Sequence, residues 1–391
     1  MKLLLVVARA NDIFIYNYAK WLKKSIDCVI DIFEYYSSEI LSNASRQDYD
    51  NRYYDHVETS KGFQLPLPKG KYLFDSLAMA KSLQRYLDDK QYDIIHSQRV
   101  MAPIVLQKDI KKHCRKLVWT FWGGEFEKET ILYSSRLFTK NLHAMSKQVD
   151  CIINSQTSMS SILKKLPCFR GVSRYASLGS APLEELYKLM KNENRRTSKI
   201  KCGLPTDKLS VLIGYSGKSV HRHIPIIQEL HKYPDLKDKI QILAPMTRGA
   251  TISYVDQVEE ELKRIGYSYT LIRGRFLTDG EIARIRNATD VVLQLSEWDG
   301  FSRSIMECLC AKSILIYGNW LGYENHLPVL GFKGIEVNSI EKGVEKLAEM
   351  VNHIEDFEVM TEQNHENGKN QALWSNCIKD WVSAYKYLLT E

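Results

Sequence analysis

Two carboxylates eight positions apart, Asp299 and Glu307, mark the stretch of the chain best suited to chemistry, EWDGFSRSIMECL. The residues between them that could contact a ligand are Gly300, Phe301, Ser302, Arg303 and Ser304. The apolar run DVVLQLS before the stretch predicts a strand, and the pattern after it predicts a helix, with Ser304 and Glu307 as a capping box. Free helix amides beside an arginine suit an anion. We therefore expect an anionic ligand here, and a first-turn carboxylate could bind the hydroxyls of a ribose.

A second candidate stretch is LIGYSGKSVHRHIPII, in which a strand pattern leads through a Gly/Ser turn into a helix. Gly214 and Gly217 permit a tight turn and close backbone approach, while Ser216, Lys218 and His221 supply polar groups. Such a turn at a helix N-terminus suits a diphosphate. The spacing fits neither a P-loop nor the G-x-G-x-x-G fingerprint, which disfavours a standard NAD site. The alternative is a solvated loop with incidental basic residues.

The turn Arg273–Phe276 follows another predicted strand, so backbone groups near Arg275 and Phe276 could hold a nucleobase. Thr278 and Glu281 have the spacing of a capping box for the next helix. Ordinary loop chemistry explains the turn about equally well.

The first half of the chain contributes FWGGE, where Trp122, Gly124 and Glu125 follow a predicted buried strand. A Gly-Gly turn could direct the Glu125 carboxylate into a cleft, as a general base or as a ligand of an acceptor hydroxyl. The alternative is a tight turn before an acidic helix start. Asn11 and His96 also lie near predicted strand ends and could line an acceptor side, although a lone histidine is more often structural.

Metal and disulfide sites have little support in the sequence. The D-x-D match at residues 48–50 lies in an irregular region away from a strand end, so we expect no metal. The eight cysteines form no C-x-x-C pair, which favours buried, reduced thiols in the cytoplasm.

A net charge of +7 suits an anionic partner. Basic clusters in the first half favour contact with an anionic membrane, while nucleic-acid motifs are absent.

Buried strand patterns alternate with helical patterns along most of the 391 residues, which predicts parallel sheets covered by helices on both faces. A polar stretch near the middle of the chain suggests a linker between two Rossmann-like domains. The predicted segments are an N-terminal domain (1–190), a linker (191–204), a C-terminal domain (205–365) and a terminal helical segment that packs back across the junction (366–391). Ligands of such sheets bind beyond the carboxyl ends of the strands, where the candidate residues lie.

DGFSRSIMECLCAKSILIYG resembles the E-x7-E segment of family 4-like glycosyltransferases of the GT-B fold. Gly300, Phe301 and Glu307 match the pattern, Asp299 replaces the usual first glutamate, and Ser302 replaces the second glycine. The resemblance implies an α/β GT-B fold of two facing Rossmann-like domains, in which residues 1–190 form the acceptor-side domain and residues 205–365 bind the donor. It also implies that Glu307 holds the ribose, and that Asp299 and the Gly300–Arg303 turn contact the transferred sugar and the diphosphate.

GYSGKSVHRH, RFLTDGEIARIRNATD and FWGGE are similar, in matching order, to segments of the 4-acetamidofucosyltransferase family of enterobacterial common antigen synthesis. This narrower resemblance is good over residues 205–330 and patchy elsewhere. Glu125 stands where that family has aspartate, so the identity of the donor sugar does not carry over.

The resemblances imply a metal-independent glycosyltransferase without a cofactor, which moves a sugar from a nucleoside-diphosphate sugar to a glycan or polyprenyl-linked glycan. We expect a role in O-antigen or capsule synthesis, in the cytoplasm or at the inner face of the plasma membrane. Lys218 would stabilise the departing diphosphate, Asp299 would contact the transferred sugar, and Glu125 would be the base if the reaction inverts the anomeric centre. The alternatives are a nucleotide-sugar epimerase of the same fold and a non-catalytic glycan-binding or scaffold protein.

Overall fold

The computed structural model describes residues 1–10, 12–36, 53–60, 71–122, 125 and 135–391. The described chain divides into two units, and the first unit consists of residues 1–179 and 374–391. The second unit consists of residues 180–373.

The first unit is built on a seven-stranded parallel sheet in the order β3-β2-β1-β4-β5-β6-β7. Its strands are β1 Lys2–Val7, β2 Val29–Glu34, β3 His56–Thr59, β4 Tyr92–Gln98, β5 Cys114–Thr120, β6 Cys151–Asn154 and β7 Val172–Tyr175. Between them lie α1 Ile13–Ser25, α2 Lys71–Leu87, α3 Ala102–Val105, a 3-10 turn Ile110–His113, α4 Arg136–Ser146 and α5 Gln156–Lys164.

Alternating side chains of the central strands enter two separate cores, one on each face of this sheet. On β1, Leu4 and Val6 join the core that contains Trp119, while Leu3 and Leu5 join the core on the opposite face. Burial on both faces explains why the strand reads as a continuous apolar run rather than an alternating pattern.

The second unit has a six-stranded parallel sheet in the order β10-β9-β8-β11-β12-β13. Its strands are β8 Leu209–Ile213, β9 Ile240–Pro245, β10 Ser268–Ile272, β11 Val291–Gln294, β12 Ile314–Gly318 and β13 Ile335–Val337. Its helices are α6 Ala181–Met190, α7 Arg195–Lys201, α8 His223–Leu230, α9 Ile252–Ile265, α10 Asp279–Ala288, α11 Arg303–Cys310, α12 Ile340–Met350 and α13 Glu358–Ala372. Short 3-10 turns are found at Ser219–His221, Pro234–Leu236, Asn319–Leu321, Tyr323–Asn325 and Ile354–Phe357.

These two sheets confirm the predicted α/β architecture of two Rossmann-like parallel sheets, but the division between the units differs from the predicted linker. The chain passes from the first unit to the second after Gly179, whereas the prediction placed the linker at 191–204. That polar stretch instead carries α7 and a buried carboxylate, Glu193, which accepts from Ser198, Lys201 and Arg284. The stretch resembles a solvated linker in sequence because the side chains that it buries are polar.

The C-terminal segment is also divided differently from the prediction. The helix α13 belongs to the second unit, while the last helix, α14 Trp374–Thr390, completes the first unit. Its Tyr385 hydroxyl lies 2.6 Å from the hydroxyl of Tyr18 and 2.5 Å from Nδ1 of His96, and all three side chains are buried. Trp381 donates from Nε1 to the Ser177 carbonyl at 2.9 Å. The helix is therefore part of the core of the first unit. Among the described helices, none is both long enough and apolar enough to cross a membrane.

Candidate functional site

The switch point of the second sheet lies between the adjacent strands β8 and β11, because the chain continues from β8 toward β9 on one side and later returns at β11 on the other. Such a point opens a crevice outside the carboxyl ends of the strands. The turn after β8 starts at Gly214, and the turn after β11 contains Asp299. The two stretches that the sequence singled out are therefore brought together at the carboxyl edge of the second sheet, which we call the Asp299 edge.

Asp299 is the centre of a hydrogen-bonded cluster at this edge. Its Oδ1 accepts from the Tyr215 hydroxyl at 2.8 Å, and its Oδ2 accepts from Gln294 Nε2 at 3.1 Å and from the Ser302 amide at 3.2 Å. The Tyr323 hydroxyl also donates to Oδ2. Four donors therefore engage this carboxylate, three of them at Oδ2. The geometry therefore favours a positioning role for Asp299, rather than the predicted catalytic contact with the transferred sugar.

The helix after this turn begins differently from the prediction. Ser302 is the N-cap of α11, and its hydroxyl accepts from the Ile305 amide, while Ser304 lies inside the first turn. The predicted Ser304–Glu307 capping box is therefore wrong, because the chain enters the helix two residues earlier. Phe301 precedes the cap with φ of 58°, and its ring packs edge-on against Tyr323 at 5.0 Å.

Glu307 lies beneath the edge in a buried ion pair. Its Oε2 lies 3.2 Å from Nε of Arg286, and its Oε1 accepts from the Ser180 hydroxyl at 2.7 Å. The side chains of Glu307 and Arg286 are only 7% and 6% exposed. The carboxylate predicted to bind a ribose is thus engaged by protein groups in this structure, and it connects α6, α10 and α11. At the same helix start, an Arg303 guanidinium nitrogen lies 3.3 Å from Sδ of Met306, and the exposed Gly300 has open space around it.

The turn after β8 is tightly packed. Gly214 has φ of +64°, and a Cβ there would lie 2.5 Å from His223 Nε2 and 2.9 Å from His221 Cβ. Nε2 of His221 lies 2.8 Å from the Ser216 hydroxyl. Burial lowers the pKa of His221 to about 4 and that of His223 to about 3, so both rings are neutral near pH 7. Ser216 and His221 are held together as part of the turn.

Lys218 is exposed, and its stem lies over the loop that follows β9. The Gly217 amide donates to the Arg248 carbonyl at 2.9 Å, and a Cβ on Gly217 would lie 2.2 Å from Ala250 Cβ. Gly249 has φ of +68°, and a Cβ there would lie 2.9 Å from both Cγ and Cε of Lys218. Gly249 cannot be recognised as part of the site from the sequence alone. Its signal, a Thr-Arg-Gly-Ala turn after a predicted strand, has meaning only once β8 and β9 are known to be neighbours.

The turn after β10 lies at the far end of this edge. Arg275 and Phe276 are exposed there, and Arg275 forms an ion pair with Glu281 at 2.7 Å. The predicted capping box is confirmed, since the Thr278 hydroxyl accepts from the Glu281 amide and the Glu281 carboxylate accepts from the Thr278 amide. No described contact joins Arg275 or Phe276 to the Asp299 cluster.

Arg222 is a further residue of the edge that the sequence did not predict as special. It adopts a left-handed conformation with φ of 55°, which is uncommon for a residue other than glycine. Its guanidinium carbon lies 5.7 Å from the ring centroid of Trp320, and its Nε lies 4.0 Å from the Glu297 carboxylate. Glu297 is in turn fixed through its amide, which donates to the Val220 carbonyl.

In the first unit, Glu125 is buried, and both carboxylate oxygens lie within hydrogen-bond distance of the Trp122 amide, at 2.8 and 3.1 Å. The Trp122 ring packs edge-on against Phe14 at 5.7 Å. Asn11 and Gly124, which were also predicted for an acceptor side, lie outside the described residues.

His96 lies in the core rather than at an exposed strand end. Its Nε2 is 2.8 Å from the Thr120 hydroxyl, its Nδ1 contacts Tyr385, and burial lowers its pKa to about 3. Both ring nitrogens are therefore engaged within the fold, and the placement favours a structural role over the predicted acceptor contact.

Within the described ranges, no group of three or more His, Cys, Asp or Glu side chains could hold a metal ion, and residues 48–50 lie outside those ranges. All eight cysteines are free, and six of them are buried.

Several lysines of the basic clusters are paired with carboxylates: Lys23 with Asp55, Lys111 with Asp150, and Lys112 with Asp109. This pairing weakens the case for an anionic membrane as their partner.

A groove of about 690 Å³ lies elsewhere on the second unit, along α13. Its lining includes Glu358, Glu362 and Glu366, whose negative charges would repel a diphosphate. The Asp299 edge therefore remains the candidate for an anionic ligand in this unit.

Comparison with solved structures finds similar folds that extend over the whole chain. Sucrose-phosphate synthase from Thermosynechococcus elongatus superposes with a TM-score of 0.73 at 12% identity, covering 100% of both chains. The chain has the GT-B fold. A glycosyltransferase from Rickettsia africae matches this GT-B chain with a TM-score of 0.69 at 15% identity, covering 100% of this chain and 99% of the other.

A third structure, Anabaena HepE in complex with UDP and glucose, matches with a TM-score of 0.64 at 13% identity, covering 99% of this GT-B chain and 100% of HepE. No family model and no curated protein matches the sequence. At these identities the comparisons establish the fold, while activity and substrates have to be argued from the site.

Proposed function

We propose that this protein is a glycosyltransferase that transfers a sugar from a nucleoside-diphosphate sugar to a glycan or polyprenyl-linked glycan acceptor. The observation that carries the proposal is the Asp299 cluster, which fixes the N-terminus of α11 beside the turn after β8 at the switch point of the second sheet. Burial lowers the pKa of His221, and the charges of Asp299 and Lys218 act on it in opposite directions. The edge thus combines a cation with a helix N-terminus, the groups that bind a diphosphate.

In this proposal, Lys218 and the first amides of α11 stabilise the negative charge that develops on the leaving diphosphate. Asp299 contributes by holding the turn Gly300–Ser302, and Gly300 leaves room for close approach of the ligand. These groups are fixed before the ligand binds, so little reorganisation is needed as charge develops. No metal ion is required by this arrangement.

Glu125 remains our proposed base for an inverting reaction, since it follows β5 at the carboxyl edge of the first sheet. It would accept the proton of the acceptor hydroxyl as the hydroxyl attacks the anomeric carbon. Replacing Glu125 with glutamine is expected to abolish transfer and to leave donor binding unchanged. If the reaction instead retains the anomeric configuration, this variant should keep most of its transfer activity, and Glu125 would not be the base.

The proposal is tested by screening nucleotide sugars for thermal stabilisation, with UDP-glucose first because HepE was solved with UDP and glucose. A donor at 100 times its dissociation constant stabilises the fold by about 2.7 kcal/mol. Nucleotide-linked 4-acetamidofucose belongs in the same screen, since the narrower family resemblance stays a prediction. Binding of no nucleotide sugar would reject the proposal.

Product analysis then separates transfer from the alternatives of the same fold. A transferase requires an acceptor for turnover, an epimerase turns over its donor without one, and a scaffold protein shows no turnover. Surface-polysaccharide acceptors such as O-antigen or capsule precursors are our proposed acceptors, supplied at the cytoplasmic face of the membrane.

A further inference from the structure

A chain of hydrogen bonds crosses the apolar core of the first unit. It joins the buried side chains of Tyr18, Tyr385, His96 and Thr120 in that order, with distances of 2.6, 2.5 and 2.8 Å between successive polar atoms. The Thr120 hydroxyl then donates to the Ile153 carbonyl at 2.8 Å. The chain of bonds therefore connects α1 and α14 to the neighbouring strands β4, β5 and β6.

The direction of each bond follows from the available protons. A carbonyl only accepts, so the single hydroxyl proton of Thr120 is directed to Ile153, and Thr120 accepts from Nε2 of His96. Burial lowers the pKa of His96 to about 3, so near pH 7 the ring is neutral and Nδ1 carries no proton. Tyr385 therefore donates to Nδ1 and accepts from Tyr18. The contacts thus fix one tautomer of His96.

The chain of bonds ends just before the turn that carries Glu125, which we call the β5 turn. Thr120 is the last residue of β5. The next amide, that of Phe121, donates to Oδ1 of Asn154 at 2.8 Å, and the following amide, that of Trp122, holds the Glu125 carboxylate. A displacement of Thr120 would therefore reach the amide that holds Glu125 after only two residues.

This core does not need polar side chains in order to be filled. The buried residues around the chain of bonds include Ile94, Val118, Trp374 and Trp381, which are apolar. Replacing a buried polar group together with its partners by apolar groups of the same shape is often nearly neutral for stability. A fully satisfied polar network instead fixes one arrangement of its side chains. The contacts therefore indicate a role in orientation.

We propose that Tyr385 and His96 are positioning residues of the acceptor side, which hold Thr120 and, through it, the β5 turn and Glu125. The inference rests on the proposed glycosyltransferase function with Glu125 as the base. It assigns the last helix of the chain a part in the reaction without contact between that helix and a substrate. Loss of the Tyr385 hydroxyl leaves Nδ1 of His96 without its donor, so the ring and Thr120 are no longer fixed.

The first test is amide hydrogen exchange of the full chain, measured by NMR and normalised to the β1 amides, which report global unfolding. In Tyr385→Phe we expect the Phe121 and Trp122 amides to exchange about tenfold faster. Tyr18→Phe also removes a buried hydrogen bond, but it leaves the Tyr385–His96 bond in place and should not accelerate exchange at the β5 turn. Equal acceleration in the two variants would overturn the inference, because loss of stability alone would then explain it.

The second test addresses the direction of the bonds and the end of the chain. The ¹⁵N spectrum of His96 at pH 7 should show the proton on Nε2, and a proton on Nδ1 would overturn the inference. Thr120→Val should reproduce the faster exchange at the β5 turn, whereas Thr120→Ser keeps the hydroxyl and should restore slow exchange. Equal exchange in these two variants would contradict a role for the hydroxyl.

The third test is turnover with UDP-glucose as the probe donor. We expect Tyr385→Phe to lower kcat about tenfold and to leave KM unchanged, since positioning acts on the reacting group and not on binding. Tyr387→Phe is the control on the same helix, because no described hydrogen bond involves the Tyr387 hydroxyl and the ring that contacts Arg174 is kept. An unchanged kcat in Tyr385→Phe would overturn the inference.

Failure of the inference is distinct from failure of the proposed function. The proposed function fails if the protein binds no nucleotide sugar, and the exchange and NMR measurements still decide whether Tyr385 and His96 hold the β5 turn. Transfer that persists in Glu125→Gln would overturn the inference while leaving the transferase function in place, because the β5 turn would then present no base.

Discussion

The Tyr215 hydroxyl donates to Oδ1 of Asp299 at 2.8 Å and so joins the two strands that flank the switch point of the second sheet. Tyr215 follows β8, and Asp299 follows β11. Because these turns are 84 residues apart in the chain, this one bond ties together parts of the edge that no local interaction could align.

We expect Tyr215→Phe to lower the free energy of unfolding by about 1 kcal/mol, the usual net contribution of one hydrogen bond. It should also weaken nucleotide-sugar binding, because the turn that Asp299 holds becomes less ordered. Urea unfolding and calorimetry measure the two effects. Tyr269→Phe is the matched control, since no described hydrogen bond involves its hydroxyl. Equal behaviour of the two variants would contradict the role of the bond.

The buried pair Arg286–Glu307 offers a second prediction. Glu307→Gln leaves the Arg286 charge buried without a counter-charge, which should cost about 3–5 kcal/mol of stability. The double variant Glu307→Gln with Arg286→Met should recover part of this loss. Urea unfolding measures both. Glu349→Gln, which breaks an exposed ion pair with Lys346 on α12, should leave the midpoint unchanged. If Glu307→Gln lowers the stability only slightly, the ion pair contributes little to the fold, and the predicted ribose contact would be the main role of Glu307.

Gly249 positions Lys218, and this contact can be tested with a matched pair of glycines. We expect Gly249→Ala to displace the Lys218 stem and to lower pyrophosphate affinity about tenfold. Adding Gly249→Ala to a Lys218→Met background should then cause no further loss. Gly203→Ala is the control, because Gly203 has φ of +69° but nothing within 4 Å of its Cβ position. Additive losses in the double variant would contradict the positioning role.

Three buried histidines predict a loss of stability in acid. Burial lowers the pKa of His96 and His223 to about 3 and that of His221 to about 4, from an ordinary value of 6.5. The unfolded chain therefore binds more protons than the folded chain between these values. Stability is complete above about pH 6.5 and falls as the pH drops toward 3.

For His96 the shift from 6.5 to about 3 corresponds to a loss of about 4–5 kcal/mol by pH 3. Urea unfolding between pH 7 and pH 4 measures the slope. His96→Gln should reduce the slope for the first unit, while His113→Gln, which replaces a partly exposed histidine of the same unit, is the matched control. A pH-independent midpoint would contradict the burial of these rings.

The central strands of both sheets could be predicted from the sequence, whereas the edge strand β3 and the strand β7 could not. The segments of β3 and β7, HVET and VSRY, are only half-buried, so they have no apolar run to mark them. The central strands carry continuous apolar runs because both of their faces are buried, whereas HVET and VSRY contain only one and two apolar residues. The stretch around Glu193 looks like a linker for a different reason, because the side chains that it buries, Glu193, Ser198 and Lys199, are polar.

The candidate site could be predicted in outline because its residues follow strand patterns. Its details depend on contacts between distant segments, which sequence spacing does not contain. Ser302 and Ser304 both precede a helical pattern, and only the Asp299–Ser302 contact decides that Ser302 is the cap. The role of Gly249 depends on its contact with Lys218, and that of Glu307 depends on its ion pair with Arg286. Both contacts form only when the chain folds.

The return of α14 to the first unit has a consequence for synthesis of the protein. Translation produces residues 1–179 first, then the whole second unit, and only afterwards Trp374, Trp381 and Tyr385. These three side chains fill the core of the first unit that contains Leu3 and Leu5. The second unit can therefore fold on the ribosome while the first still exposes the apolar surface that these side chains will cover. Ribosome-stalled chains ending before residue 374 should accordingly hold a protease-resistant second unit and a first unit bound by chaperones.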